Sequence, residues 1–225
     1  MMYGTLLSPI LIGAGYRPST VVPCILFSQA VGGLTASVFH HRLKNAQLFR
    51  ASQDSKVVAL TTLLGISLAA VGGYLCAKLP AKAITLYVGA IALSMGLIVL
   101  AGIRFRFTWT KMGGVAALSS FNKGFSGGGF GPIMTSGQLV IGRHPKKAIG
   151  STTLAEAPIC LVGFAAISAT SGFPPPPLFC ALNAGAIIGA LVGPHLTRFL
   201  PADWARRGAA VLAVFSGAWV LRKLL

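Results

Sequence analysis

The chain has 225 residues, 54% of them hydrophobic and 10% charged, with a mean hydropathy of +0.77. A water-soluble domain carries about a quarter charged residues, so this composition excludes an ordinary soluble protein. The net charge of +16 would attract a polyanion, but the basic residues sit at the ends of apolar runs, not along one face or tail, which argues for the loops of a membrane protein over a nucleic-acid interface.

In chain order, apolar windows of spanning length fall at 19–39, 57–79, 84–103, 147–171, 178–197 and 205–221. A spanning helix takes roughly 20 mostly apolar residues. These runs are too long for the alternating strands of a barrel, and irregular backbone cannot face lipid. The expected fold is therefore all-α and polytopic. Met1-Met2-Tyr3-Gly4 lacks a basic n-region, so no cleavable signal is expected. Cys24, Cys76, Cys160 and Cys180 lie in apolar stretches without CxxC spacing and read as small buried hydrophobes. Trp109, Trp204 and Trp219 fall near window ends, where interface anchors belong.

The chain repeats itself in order, though weakly in identity. Gly4–Pro9 can be laid on Gly127–Pro132 and, after a four-residue insertion, Gly15–Pro18 on Gly142–Pro145. Gln29 then falls on Glu156, Gly65 and Gly73 on Gly185 and Gly193, Lys78 on Arg198, and Pro80 on Pro201. Two halves follow, 1–107 and 108–225, together forming one membrane domain. On this register Met1 stands opposite Gly124, so the first half lacks a counterpart of 111–123 and is expected to be short of its N-terminal helix.

Loop charge sets the expected orientation. Arg42, Lys44, Arg50, Lys56, Arg104, Arg106, Lys111, Arg143, Lys146, Lys147, Arg198, Arg206 and Arg207 belong to one side, against Arg17, Lys78, Lys82, Arg222 and Lys223 on the other. That bias of thirteen to five puts the richer side in the cytoplasm. Residues 111 and 143 then share a side, and the stretch between them enters and leaves by one face, turning near Gly127-Gly128-Gly129. Each half becomes a Gly-broken, re-entrant segment plus three spans, inverted relative to the other. The alternative is a broken helix that crosses once.

Glu156 is the one acid of three that lies inside an apolar window. An ionisable group there costs about 2.5–3.5 kcal/mol on insertion scales and normally faces a cavity or a partner. It reads as a proton-coupling carboxyl or as a structural acid paired with a base, with Gln29 its neutral repeat-mate. The Gly127–Gly129 triplet allows a turn and exposes amide N–H groups at a half-helix start, a natural anion site; close helix packing is the other use of such glycines. Asn122 and Lys123 precede the triplet, and the lysine either draws an anion or snorkels to the interface. Ser126, Thr135, Ser136 and Gln138 supply donors on the arms of the segment, and Ser151, Thr152 and Thr153 lie about one turn before Glu156. Such hydroxyls often bond only to their own helix.

His40 and His41 stand beside Arg42 at a boundary and read as solvated. His144 and His195 stand alone, no HxxxH or His/Cys cluster occurs, and no P-loop or Ser–His–Asp arrangement can be built. No metal, cofactor or enzymatic chemistry is expected.

At Gly124-Phe125-Ser126-Gly127-Gly128-Gly129-Phe130-Gly131-Pro132 the chain resembles the TauE/SafE family of sulfite and organosulfonate exporters. Ala148-Ile149-Gly150-Ser151-Thr152-Thr153 is similar to the family's Ala/Gly-Thr-Ser stretch, and the helices of Gly65/Gly73 and Gly185/Gly193, each ending in a basic residue and Pro, extend the likeness over most of the chain. The first half departs from the pattern, with Gly4-Thr5-Leu6-Leu7-Ser8-Pro9 where the family shows more glycine. The resemblance implies a permease for a small anion in a bacterial cytoplasmic membrane. A passive channel, a membrane-embedded enzyme and a structural subunit are the rival readings, and a homo-oligomer stays open.

Overall fold

The structure, a computed structural model, describes residues 3–49, 51–102, 108–199 and 201–222. Among them the order is α1 (Tyr3–Gly13), α2 (Pro18–Arg42), α3 (Gln53–Lys78), α4 (Ala81–Ala101), α5 (Trp109–Ser126), α6 (Phe130–Val140), α7 (Pro145–Ser171), α8 (Pro176–Phe199) and α9 (Ala202–Arg222). The all-α expectation holds. α2, α3, α7 and the Pro176–Leu196 part of α8 are long and apolar enough to cross a membrane. The windows 84–103 and 205–221 fall on α4, which contains a shorter apolar stretch, Lys82–Ile98, and on α9. Arg50, Arg104, Arg106, Lys223 and the boundary between the two halves lie outside the described residues.

Large apolar side chains face outward along these helices. Leu63, Ile188, Val211 and Phe215 are each more than half exposed. Water would penalise such a surface, and lipid accepts it. The protein is a multi-pass membrane protein.

Local sequence sets the helix ends. Proline occupies the first turn of both α2 and α7, where its missing N–H costs nothing. Ser52 and Ser55 cap α3 reciprocally: the Ser55 amide donates to the Ser52 hydroxyl at 3.2 Å, and the Ser52 amide to the Ser55 hydroxyl at 3.0 Å. Thr108 caps α5 by accepting from the Lys111 amide at 3.3 Å.

The contacts give the helix directions. Gly65 of α3 lies against Ser120 and Ile159, Gly72 against Phe121 and Phe125, and Gly73 against Gly163 and Ala166. Numbers rise together, so α3, α5 and α7 run parallel. α2 and α7 run antiparallel, with Leu26 at Gly163 and Gly33 at Thr153 and Ala157. α2 and α8 are parallel, through Phe27–Phe179, Gly32–Ala186 and Phe39–His195. α4 and α9 are antiparallel, Gly89 meeting Gly217 and Gly96 meeting Ala210 and Val214. Glycine lets these backbones approach where no hydrophobic force separates helix from lipid.

α5 and α6 form a hairpin. Val115 packs on Gly137, the Ser119 hydroxyl donates to the Met134 sulfur at 3.7 Å, and Asn122 packs on Gly129. α6 then meets the opening turns of α7, with Thr135 at Thr152 and Gln138 at Ala148. α5 spans about 27 Å at 1.5 Å per residue. The chain thus climbs beside α3 and α7, turns at Gly127–Gly129, and returns to the end it came from.

Three expectations change. Among the described residues the first half shows no glycine break: α1 is one uninterrupted short helix, with Gly4 in its first turn and not at a bend. Gly4 instead lets α1 press on the second-half break, since a Cβ there would meet the Gly127 carbonyl and, at 2.7 Å, the Gln29 side-chain oxygen. His40 is buried, not solvated, its Nδ1 held 3.1 Å from the Asn45 amide nitrogen. The repeat-mates Gly65/Gly73 and Gly185/Gly193 differ in use: the first pair packs closely, the second faces open space. Cys24, Cys76 and Cys160 are buried as expected, and Cys180 is exposed.

Gly124 is packed tightly against the backbone of another helix, its missing Cβ directed at the Ala69 carbonyl of α3. Gly124→Leu is expected to push α5 off α3 and to destabilise the protein by about 1–3 kcal/mol, or more where no repacking exists. A lowered thermal midpoint of the detergent-solubilised variant checks this, with Gly185→Leu, which meets no neighbour, as the tolerated control.

Candidate functional site

The break is built by backbone geometry. Gly127 (φ 67°) and Gly129 (φ 74°) adopt the left-handed conformation, which costs glycine nothing. The Gly127 amide donates to the Lys123 carbonyl at 2.9 Å, which closes α5. Ser126 and Asn122 hold the turn: the Ser126 hydroxyl donates to the Asn122 carbonyl at 2.7 Å and accepts from the Gly128 amide at 3.2 Å, and the Asn122 amide donates to the Gly128 carbonyl at 3.0 Å. From α1, the Ser8 hydroxyl donates to the Ser126 carbonyl at 3.1 Å. α6 then starts at Phe130, with Gly129 as its N-cap residue.

Lys123 occupies the last turn of α5 and is fully buried. Its ammonium lies 2.7 Å from the Glu156 carboxyl of α7, donates to the Gln29 side-chain oxygen of α2, and donates to the Gly127 carbonyl at 3.1 Å. Lys123 does not snorkel. Glu156 is 5% exposed, and its oxygen nearest Lys123 makes no hydrogen bond of regular geometry, so the two meet as a bare ion pair. Burying either charge alone would cost several kcal/mol. The repeat-mates Gln29 and Glu156 therefore converge on one cation, which belongs to neither of their helices.

A second polar cluster lies towards the start of α7. Gln138 of α6 is its hub: it donates to the Thr152 hydroxyl at 2.8 Å, and its side-chain oxygen accepts from Ser151 at 3.0 Å and from Arg143 at 2.6 Å. Arg143, between α6 and α7, also pairs with Asp54 in the first turn of α3. Both are buried, and Asp54 accepts from the Gln47 amide at 3.0 Å as well. Burial pushes the Arg143 guanidinium below its usual range while Asp54 opposes the shift. Thr135 lies 3.4 Å from Thr152, hydroxyl to hydroxyl.

α7 joins the clusters, because Thr152 and Glu156 are four residues apart on one face. Gln29, Asn122, Lys123, Ser126, Gly127–Gly129 and Glu156 thus gather at the break, and Thr135, Ser151 and Thr152 gather below it around Gln138. Ser151 and Thr153 also bond to their own helix, at 2.8 Å in each case. Sequence reasoning did not single out Ser8 or the Asp54–Arg143 pair. Arg143 looked like one more loop cation, and the separation of 89 residues hid its acid. Among the described residues no group of three metal-ligating side chains occurs.

Buried polar and ionic groups along a helix hairpin, inside an apolar-surfaced helical bundle, define a membrane transport protein. The chain belongs to the TauE/SafE family: the family model described as "Sulfite exporter TauE/SafE" matches residues 1–220. Comparison with curated proteins and with solved structures returns no match.

Removing one partner of a buried pair leaves the other charge uncompensated. Asp54→Asn is expected to cost about 3–5 kcal/mol of stability, and the double variant with Arg143→Met to recover part of it. A double-mutant cycle of unfolding in detergent reads the coupling; additive effects would show that the pair does not hold α3 to the α6–α7 junction.

Proposed function

We propose that this chain is a secondary transporter, a permease that moves a small anion, sulfite or an organosulfonate, across the bacterial cytoplasmic membrane with a proton as coupling ion. The observation that carries this reading is Lys123: a fully buried ammonium at a helix break, facing the buried carboxyl of Glu156. An ammonium in that setting is the group an entering anion would meet. Glu156 would carry the proton. Gln29, Asn122, Ser126, Gly127, Gly128 and Gly129 would surround the anion, and Thr135, Ser151 and Thr152 would lie along its path. The amides of the first turn of α6 would add partial positive charge.

The architecture proposed for this function is an inverted repeat, with α1–α4 related to α6–α9. The mates α2 and α7, both opened by proline, pack antiparallel, as do α4 and α9. The contact Gly32–Ala186 between α2 and α8 answers the contact Ile159–Gly65 between α7 and α3. The helix directions gather Arg42, Lys44, Lys56, Lys111, Arg143, Lys146 and Lys147 at one end, which the charge rule places in the cytoplasm. The α5–α6 hairpin is then re-entrant from the cytoplasmic side, and alternating access is a movement of one half against the other.

Uptake into proteoliposomes of sulfite, sulfoacetate, taurine, sulfate and thiosulfate, with and without an imposed pH gradient, tests the reading. At least one sulfur oxyanion or sulfonate should accumulate; absence of flux for all would refute the permease. Glu156→Gln is expected to abolish pH-driven accumulation while the protein still elutes as a folded species, and uptake equal to wild type would remove Glu156 from coupling. Gly128→Val is expected to reduce flux to background, because a β-branched side chain would crowd the turn that Ser126 and Asn122 hold.

A further inference from the structure

Resting on the permease reading, we infer that anion and proton move together, one of each per cycle, because the anion and the Glu156 carboxylate compete for the single ammonium of Lys123. The cargo this assigns is a monoanion, and the transport is electroneutral.

Charge balance constrains the site. In the structure Lys123 and Glu156 are 2.7 Å apart and neutralise each other in an apolar surround. An anion reaching Lys123 with Glu156 still ionised would place two negative charges on one cation, a state that low dielectric penalises heavily. A proton on Glu156 removes the conflict. The site then has two states of equal net charge: lysine with ionised glutamate when empty, lysine with anion and neutral glutamate when loaded. Both can cross between the two open forms without an uncompensated buried charge. An anion alone, or a proton alone, leaves one.

The geometry fits a pair poised to part. The Glu156 oxygen facing Lys123 is held by the ion pair alone, with no regular hydrogen bond to fix it. Lys123 keeps two other acceptors, Gln29 and the Gly127 carbonyl, when the carboxyl lets go. The stoichiometry follows from the groups at the ammonium: the register pairs Glu156 with Gln29, which cannot titrate, so Lys123 is faced by one acid, and Asp54 is paired with Arg143 elsewhere. The other groups near the pair are Cys160 on α7 and Tyr3 on α1, a thiol and a phenol that are neutral near pH 7. α2 presents Gln29, α6 contains no charged residue, and α3 and α8 carry charge only near their ends.

Methanesulfonate, a permanent monoanion, separates the outcomes. Wild-type protein in liposomes holding a pH-sensitive dye is given an inward methanesulfonate gradient at equal pH. The lumen should acidify as the anion enters, in a one-to-one ratio, and the rate should not respond to a potassium diffusion potential. Methanesulfonate influx without acidification, with alkalinisation, or with a rate set by the potential would overturn the competition while leaving the permease standing. Sulfite flux without methanesulfonate flux would overturn the cargo assignment. No flux of either would overturn the permease and the coupling together. Glu156→Gln, with Lys123 released, should still exchange labelled for unlabelled methanesulfonate while moving no protons, and the double variant with Lys123→Gln should lose the exchange. Proton movement persisting in Glu156→Gln would overturn the role of this carboxyl.

Discussion

A lysine ammonium buried at a break in a membrane helix must be compensated, and the rest of the structure is arranged around that requirement. An isolated ion inside lipid is expensive enough that it would otherwise be excluded or drawn to the surface. Lys123 is held by two groups remote in sequence, Glu156 from α7 and Gln29 from α2, and by the Gly127 carbonyl, freed four residues on where its own helix α5 stops. Without the break that carbonyl would be bonded within a continuing helix, and the lysine would have one acceptor fewer.

The break in turn depends on what surrounds it. Two left-handed glycines turn the chain, Asn122 and Ser126 satisfy the backbone groups that the turn releases, and α1 covers it from the far side through Ser8 and Gly4. Unpaired backbone inside lipid is not tolerated, so each of these bonds is part of what makes a mid-bundle turn possible. The close approach of α3 and α5 at Ala69 and Gly124 places the turn beside the long helices.

On the proposed repeat, the two halves would share helix directions and differ in chemistry. The equivalent positions 29 and 156 carry an amide and an acid. The buried pair Asp54–Arg143 ties α3 to the α6–α7 junction, and the residue matching Arg143 in the repeat is Tyr16. The α5–α6 hairpin is answered in the first half by α1 alone among the described residues. On that reading the unmatched charges distinguish one half from the other.

The membrane class, most helix positions, the burial of Glu156 and the turn at the glycine triplet were legible in the chain. Hydropathy windows, proline at helix starts and an acid in an apolar run act locally and need no partner to be recognised. The unbroken α1, the burial of His40, the descent of Lys123 into the core and the Asp54–Arg143 pair were decided by tertiary structure. A lysine or arginine near a helix end satisfies the same local pattern whether it reaches water or an acid, and only the packing of distant helices settles which.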